Sequence, residues 1–300
     1  MVSLADLSPR RRVEILRPSI LGAPTHVELH HPLAEDDDAS SRTPILALHG
    51  NPDSAQLWRP FADRAPDRLL IAPDLPGLAR SRRPAGLNYR LDEMVAWLDG
   101  VLNATGTAGP LHLIGHDFGG VFLGAWAVAH PERVRSATLV DTIFHPEYRW
   151  HAWARVWRTP ILGEVSMLAM NAPLFHRELR RGGPGLTRAW RNEAWRQVTP
   201  EAKGNVLALY RATDPDVFRP QVEALRAVMR SRPSLTVWGA DDPYIDPSWA
   251  HRYGARRAVV LEACGHWPPV ERPDAFAAAV LETIREAERS NDDGTLDATS

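Results

Sequence analysis

A single cysteine, Cys264, excludes an intramolecular disulfide and leaves a structural metal site without its usual thiolates. Only one lysine, Lys203, is present, so nearly all positive charge is arginine. No apolar run reaches the roughly 18 residues that would suggest a membrane span. The stretch Met1 to Ile15 is polar, carries Arg10, Arg11 and Arg12, and lacks the apolar core of a signal peptide. A soluble protein of a reducing, cytoplasmic compartment with no membrane partner is therefore expected. Charge of one sign is also missing. The net charge of −2 gives no basic footprint for nucleic acid.

What is present is core-forming. A chain of 300 residues with 44% hydrophobic content can bury a sizeable interior, as one large domain or as one domain carrying a substantial insertion. Short apolar runs alternate with helical patterns, the signature of a mostly parallel sheet covered on both faces. Val13 to Ile20 and Thr25 to His31 read as an opening pair of strands, and Ala34 to Ser41 as a solvated loop. Strands follow at Pro44–His49, Leu69–Pro73, Leu111–Gly115 and Val134–Val140. Leu91, Met94, Val95, Leu98 and Val101 have helical spacing, and Gly119–Ala129 is a helix rich in small residues.

From about Phe144 to Ala224 the pattern is helical without strands, and it holds five of the 11 tryptophans. Strands resume at Ser234–Trp238 and Ala258–Glu262, and a helix runs from Pro273 to about Glu286. The expected organisation is a core of 1–143 and 226–289, a helical lid of 144–225 inserted after the sixth strand, and a disordered tail of 290–300. Sites in open α/β sheets lie at the carboxyl ends of strands. An insertion leaving from that end is placed to cover one.

The sharpest motif is Gly115-His116-Asp117-Phe118-Gly119-Gly120, directly after the strand Leu111–Ile114. Glycines two positions either side of Asp117 permit the strand-to-helix turn of a nucleophile elbow, with Asp in place of Ser. A carboxylate is already ionised at neutral pH and needs no base to attack. Attack on a carboxylic ester would give a reactive anhydride, whereas attack on a saturated carbon with a leaving group gives an ordinary ester.

His266, in Ala263-Cys264-Gly265-His266-Trp267-Pro268, follows a late strand and has the placement of a general base. Three acids could orient it. Asp242 in Gly239-Ala240-Asp241-Asp242 is preferred, Asp141 at the end of the preceding strand is the alternative, and Asp241 is the third. The backbone N–H groups of Asn51 and Phe118 are the expected oxyanion donors, and the Asn51 amide can also reach a leaving group.

These residues resemble the haloalkane dehalogenases. The resemblance rests on His49-Gly50-Asn51-Pro52-Asp53-Ser54 followed by Leu57-Trp58-Arg59, on Asp74-Leu75-Pro76-Gly77 running on to Ser81, and on Gly115-His116-Asp117. The last two also fit the sister epoxide hydrolases. The resemblance covers about 30–142 and 230–287 and is weak across the lid. It implies an α/β-hydrolase fold with Asp117 as nucleophile, His266 as base, Asp242 as acid and Asn51 as halide donor. It also implies a small hydrophobic organic substrate and no metal or organic cofactor.

One departure stands out. Those dehalogenases usually follow the nucleophile with a tryptophan that holds the halide, and here Phe118 cannot donate. Trp153 or Trp157 of the lid are the candidate replacements. The rival is an epoxide hydrolase, in which lid tyrosines protonate the opening oxygen. Tyr210 in Leu209-Tyr210-Arg211 resembles one of them, and Tyr148 falls too early in the lid to be the other. Against that rival, the position of Asn51 is usually a bulky aromatic. Fluoroacetate-type dehalogenases often follow the nucleophile with arginine, which is absent. A non-catalytic ligand-binding member of the fold is the remaining alternative.

Overall fold

The computed structural model describes residues 11–33 and 42–296, with side chains to 289. The loop expected at Ala34–Ser41 lies outside the described residues. Among those described, eight strands form one sheet. They are β1 (Val13–Leu16), β2 (Val27–His30), β3 (Ile45–Leu48), β4 (Leu70–Pro73), β5 (Leu111–His116), β6 (Val134–Val140), β7 (Ser234–Gly239) and β8 (Arg257–Leu261). Their order is β1-β2-β4-β3-β5-β6-β7-β8. β1 and β2 run antiparallel to their neighbours, and every pairing from β4 through β8 is parallel.

The opening strand pair is shorter than its apolar pattern suggested. Leu21 and Gly22 both have positive φ (49° and 81°), and the tight turn there splits off a ribbon of Ser19–Ile20 with Ala23–Pro24.

Alternation along the central strands builds two cores. Leu46 and Leu48 of β3 face one side with Leu113 and Leu139, while Ile45 and Ala47 face the other with Ile114 and Val237. On the first side lie α1 (Leu91–Ala104) and α2 (Phe118–Ala129), through Trp97, Leu98, Val121 and Phe122. The second side is covered by Trp58, Phe61, Phe276, Val280 and Ile284. Each such side chain contributes roughly 1.5–3 kcal/mol by burial, so the strand ends that carry the site rest on a stiff platform.

Between β6 and β7 come six α-helices, the first five being α3 (Ala152–Arg158), α4 (Leu162–Ala169), α5 (Ala172–Gly182), α6 (Arg188–Arg196) and α7 (Pro200–Ala212). Side chains cap several of them, as when Thr199 accepts from the N–H of Ala202 at 3.1 Å with Pro200 opening α7. α8 (Val222–Ser231) spans the expected lid boundary at 225. Its Leu225 packs on Phe144 and α2, so that helix sits with the core.

The last helix, α9 (Pro273–Leu296), continues past the expected end at Glu286. Residues 290–296, expected to be disordered, therefore extend it, because adding turns to a formed helix costs little even for a polar sequence. Residues 297–300 lie outside the described set. Among the described residues no helix is long and apolar enough to cross a membrane.

Candidate active site

β5 ends in the turn that carries Asp117. Its φ of 51° and ψ of −123° are strained for a residue with a side chain. The turn is possible only because its neighbours have no Cβ. One on Gly119 would lie 2.0 Å from the carbonyl oxygen of Leu48, and one on Gly115 would lie 2.6 Å from Cα of Gly120. The peptide is pinned on both sides: the N–H of Asp117 donates to Val140 (3.0 Å), and the Thr142 hydroxyl donates to the Asp117 carbonyl (2.7 Å).

The Asp117 carboxylate then meets the loop after β3. Oδ1 accepts from the backbone N–H of Asn51 at 3.0 Å. A Cβ on Gly50 would sit 2.3 Å from that same oxygen, which explains the glycine. Phe118 opens α2, so its N–H is one of the donors that a helix start leaves without an intrahelical partner. Its buried ring packs edge-on against Tyr210 at 4.8 Å and stacks with Trp150 at 6.2 Å.

His266 stands between two carboxylates. Nε2 is 3.6 Å from Oδ2 of Asp117, and Nδ1 is 2.8 Å from Oδ2 of Asp242. The other Asp242 oxygen accepts from the N–H groups of Tyr244 (2.7 Å) and Ile245 (3.2 Å). Burial disfavours a charged imidazole. The charge of Asp242 and hydrogen bonding to both carboxylates nevertheless raise the His266 pKa well above its usual value. Burial also opposes ionisation of Asp242, but the paired imidazole and its donors hold it below the usual carboxylate range.

Asp141, the alternative acid, is fully buried at the end of β6 and accepts from the N–H of Gly239 at 3.1 Å. It lies beside Asp242 and His266, with ligand atoms of the three within 4.8 Å of one another. Burial first, then the charge of Asp242, push Asp141 well above the carboxylate range, so it is the protonated member of the pair. Asp242, not Asp141, makes the close contact with the imidazole. The exposed Asp241 donates its backbone N–H to the carbonyl of Cys264, which ties the acid loop to the histidine loop.

Two supports of that loop were not singled out from sequence. The buried Asp53 accepts from the Trp267 indole at 2.8 Å, and burial pushes its pKa up to about 7 despite that bond. His116, kept neutral by burial with its pKa near 3, donates Nε2–H to the His266 carbonyl at 2.7 Å. From the lid side, the N–H of His266 donates to the carbonyl of Gly182 at the end of α5 (2.8 Å).

Above Asp117 and His266 lies a cavity of about 120 Å³ between core and lid. Trp153 and Trp157 both line it, stacked at 6.2 Å, together with Tyr210 and the aliphatic side chains of α4 to α7. The indole N–H of Trp157 is buried without a partner. The same holds for Trp150, which also lines the cavity and escaped individual notice in the sequence. Tyr148 also lines the cavity, despite its early position in the lid, and donates to the Tyr244 carbonyl at 3.2 Å. For Tyr210, burial and then the charge of Asp117 push the phenol well above its usual range, while a contact with the Asn51 side chain works the other way. It remains a proton donor at neutral pH.

Comparison with known proteins bears on the fold and the family. The chain is 28% identical over 272 residues to haloalkane dehalogenase 2 of Mycobacterium tuberculosis, covering 82% of this chain and 89% of that one. The crystal structure of haloalkane dehalogenase DbeA from Bradyrhizobium elkani is similar in fold, with a TM-score of 0.78 at 24% identity, covering 93% of this chain and all of that one. The epoxide hydrolase CorEH is also similar in fold, with a TM-score of 0.74 at 18% identity, covering 92% and 99%. The family model described as alpha/beta hydrolase fold matches residues 43–273, and the protein belongs to that family.

Proposed function

We propose that the protein is a haloalkane dehalogenase that works through an ester on Asp117. The observation that carries this reading is the Asp117 carboxylate, with one oxygen on the Asn51 N–H and the other facing His266, beneath an apolar cavity lined by Trp150 and Trp157, whose indole N–H groups are buried without a partner. A buried donor without an acceptor is costly, and a halide leaving from substrate would satisfy it. The haloalkane dehalogenase of Mycobacterium tuberculosis, similar over most of its length, supports the same choice.

In this mechanism Oδ2 of Asp117 displaces halide from carbon, while Oδ1 becomes the ester carbonyl oxygen held by the N–H groups of Asn51 and Phe118. Water then gives a proton to His266 and adds to the ester carbon. Collapse of the tetrahedral oxyanion expels the alkoxide, which takes that proton back from His266. The regenerated Asp117 carboxyl ionises, so each turnover yields alcohol, halide and one proton. Asp242 holds the imidazolium through Nδ1. The cavity is close to the ~150 Å³ that accommodates benzene, so short or compact substrates are expected.

Epoxide opening is the second reading, favoured by one observation: the Tyr210 phenol lines the cavity in its protonated form. It would protonate the opening oxygen while Asp117 attacks the ring carbon.

Mass spectrometry of intact His266→Phe protein after exposure to haloalkanes and, separately, to epoxides tests both. An alkyl adduct that Asp117→Ala abolishes is the expected result. A hydroxyalkyl adduct from epoxides alone would overturn the dehalogenase in favour of the second reading.

A further inference from the structure

Helix α4 is the wall of the cavity. On its inner side Ser166 and Met167 line the pocket, with Met170 just beyond its end. Its outer side is also apolar: Ile161 is 78% exposed, Leu162 50%, Val165 55% and Leu168 84%. The spacing of Ile161, Val165 and Leu168 puts them on one face. Contiguous exposed aliphatics of this kind on a folded surface mark an interaction site.

That face is held rather than frayed. A Cβ on Gly163 would lie 2.7 Å from the Trp157 carbonyl, so α4 packs tightly at the end of α3, and Glu164 is clamped by Arg211 at 2.7 Å. Ile161, just before the helix, is β-branched yet has φ of 69°, a costly conformation for such a residue. Strain spent on presenting an isoleucine to solvent points to function.

Charge indicates what covers the face. Residues 144–225 carry 12 basic and 8 acidic side chains, a net +4 in a chain whose total is −2. The lid arginines 149, 155, 177, 180 and 188 are exposed and form no ion pair among the described residues. Four aliphatic side chains on two helical turns fall well short of the ~800 Å² per partner that a stable protein interface buries. They are enough for a helix that lies in a headgroup boundary, where a few apolar side chains act together with basic ones.

We propose that the outer face of α4 seats the lid on an anionic lipid surface. Ile161, Leu162, Val165 and Leu168 enter the headgroup boundary, and the net positive charge of residues 144–225 is drawn to the lipid charge. The contact is peripheral and needs no spanning segment. It is independent of the reaction assigned to Asp117.

The test is flotation of the full chain with vesicles of phosphatidylcholine containing about 30% phosphatidylglycerol, and with phosphatidylcholine alone. Binding to the anionic vesicles is expected to drop at least tenfold in the double variant Val165→Glu/Leu168→Glu, and at least fivefold in about 0.5 M salt. Both positions are exposed, so an unchanged melting temperature and circular dichroism spectrum would show that the variant is folded. No binding by the parent protein, or binding that the double variant retains, overturns the proposal. So does equal binding to both vesicle types. Sedimentation velocity adds a further arm: a dimer abolished by the double variant, without lipid binding, would make this face an interface between copies instead.

Discussion

Nε2 of His266 lies 3.6 Å from Oδ2 of Asp117, a looser ion pair than the 2.8 Å contact that the same ring makes with Asp242. The protonation of His266 therefore depends on whether Asp117 is charged. In the free protein, burial is outweighed by Asp242 and Asp117 together, which favours the charged form of the ring. An ester on Asp117 carries no charge, so that part of the support is lost just when a base is required.

The alkylation phase should accordingly be flat between about pH 6 and 9, since a carboxylate attacks without a base. Ester hydrolysis should rise with pH through a pKa lower than that of the ring in the free protein. Single-turnover kinetics with rapid quench separate the two phases. A hydrolysis phase independent of pH would contradict this coupling. The raised pKa also stabilises the fold fully below about pH 6.5, and that contribution fades as pH climbs through the folded-state value.

Asp141 and Asp242 should respond differently to mutation. Asp242→Ala removes the acceptor at 2.8 Å from Nδ1 and is expected to slow ester hydrolysis by roughly 10²–10⁴-fold, with the adduct accumulating. Asp141→Asn keeps an N–H donor where the protonated acid stands and should retain activity within about tenfold. Asp141→Leu should not. If Asp141→Asn accumulates more adduct than Asp242→Ala, the assignment of the two acids is reversed.

The donors at the cavity separate the two proposed reactions. Trp150→Phe and Trp157→Phe each remove an unpartnered indole N–H while keeping an aromatic ring. For a dehalogenase, each should weaken inhibition by bromide or chloride about three- to thirtyfold, read from the steady-state rate against added halide. Tyr210→Phe should leave haloalkane turnover within about threefold. Loss of turnover only in the tyrosine variant would instead support epoxide chemistry.

Asp53 provides a test in stability rather than rate. Its pKa is raised to about 7 by burial, so the folded state resists ionisation that the unfolded chain accepts near pH 4. The stability cost is absent below about pH 4, grows as pH rises toward 7, and is constant above that. Asp53→Asn keeps an oxygen for the Trp267 indole and should raise the melting temperature by roughly 2–6 °C at pH 8, with little change at pH 4.5. Equal effects at both values would mean that the charge of Asp53 is not what the site resists.

Much of the core and the centre of the site could be read from the sequence because each depends on local rules. Alternation fixed the faces of β3, and the glycines around Asp117 are demanded by contacts of 2.0 and 2.6 Å that any side chain would violate. The placement of His266 and Asp242 follows from strand ends, where short loops leave few options. The rest depends on contacts between distant segments. Trp150 shows no local sign that it lines a cavity, and Tyr148 reaches that cavity because of how the chain leaves β6. Asp53 was visible only as a motif letter. Its raised pKa comes from burial beneath Trp267, some two hundred residues along the chain.

The hydrogen bond from the His266 N–H to the Gly182 carbonyl ties the end of α5 to the proposed base. A Cβ on Gly265 would lie 2.1 Å from that same carbonyl, so the two segments are joined with no slack. A displacement of the Gly182 end of α5 would therefore bear directly on the position of the proposed base. Among the described residues α3 and α4 make no such hydrogen bond to the histidine loop, so the attachment is confined to the α5 side of the insertion.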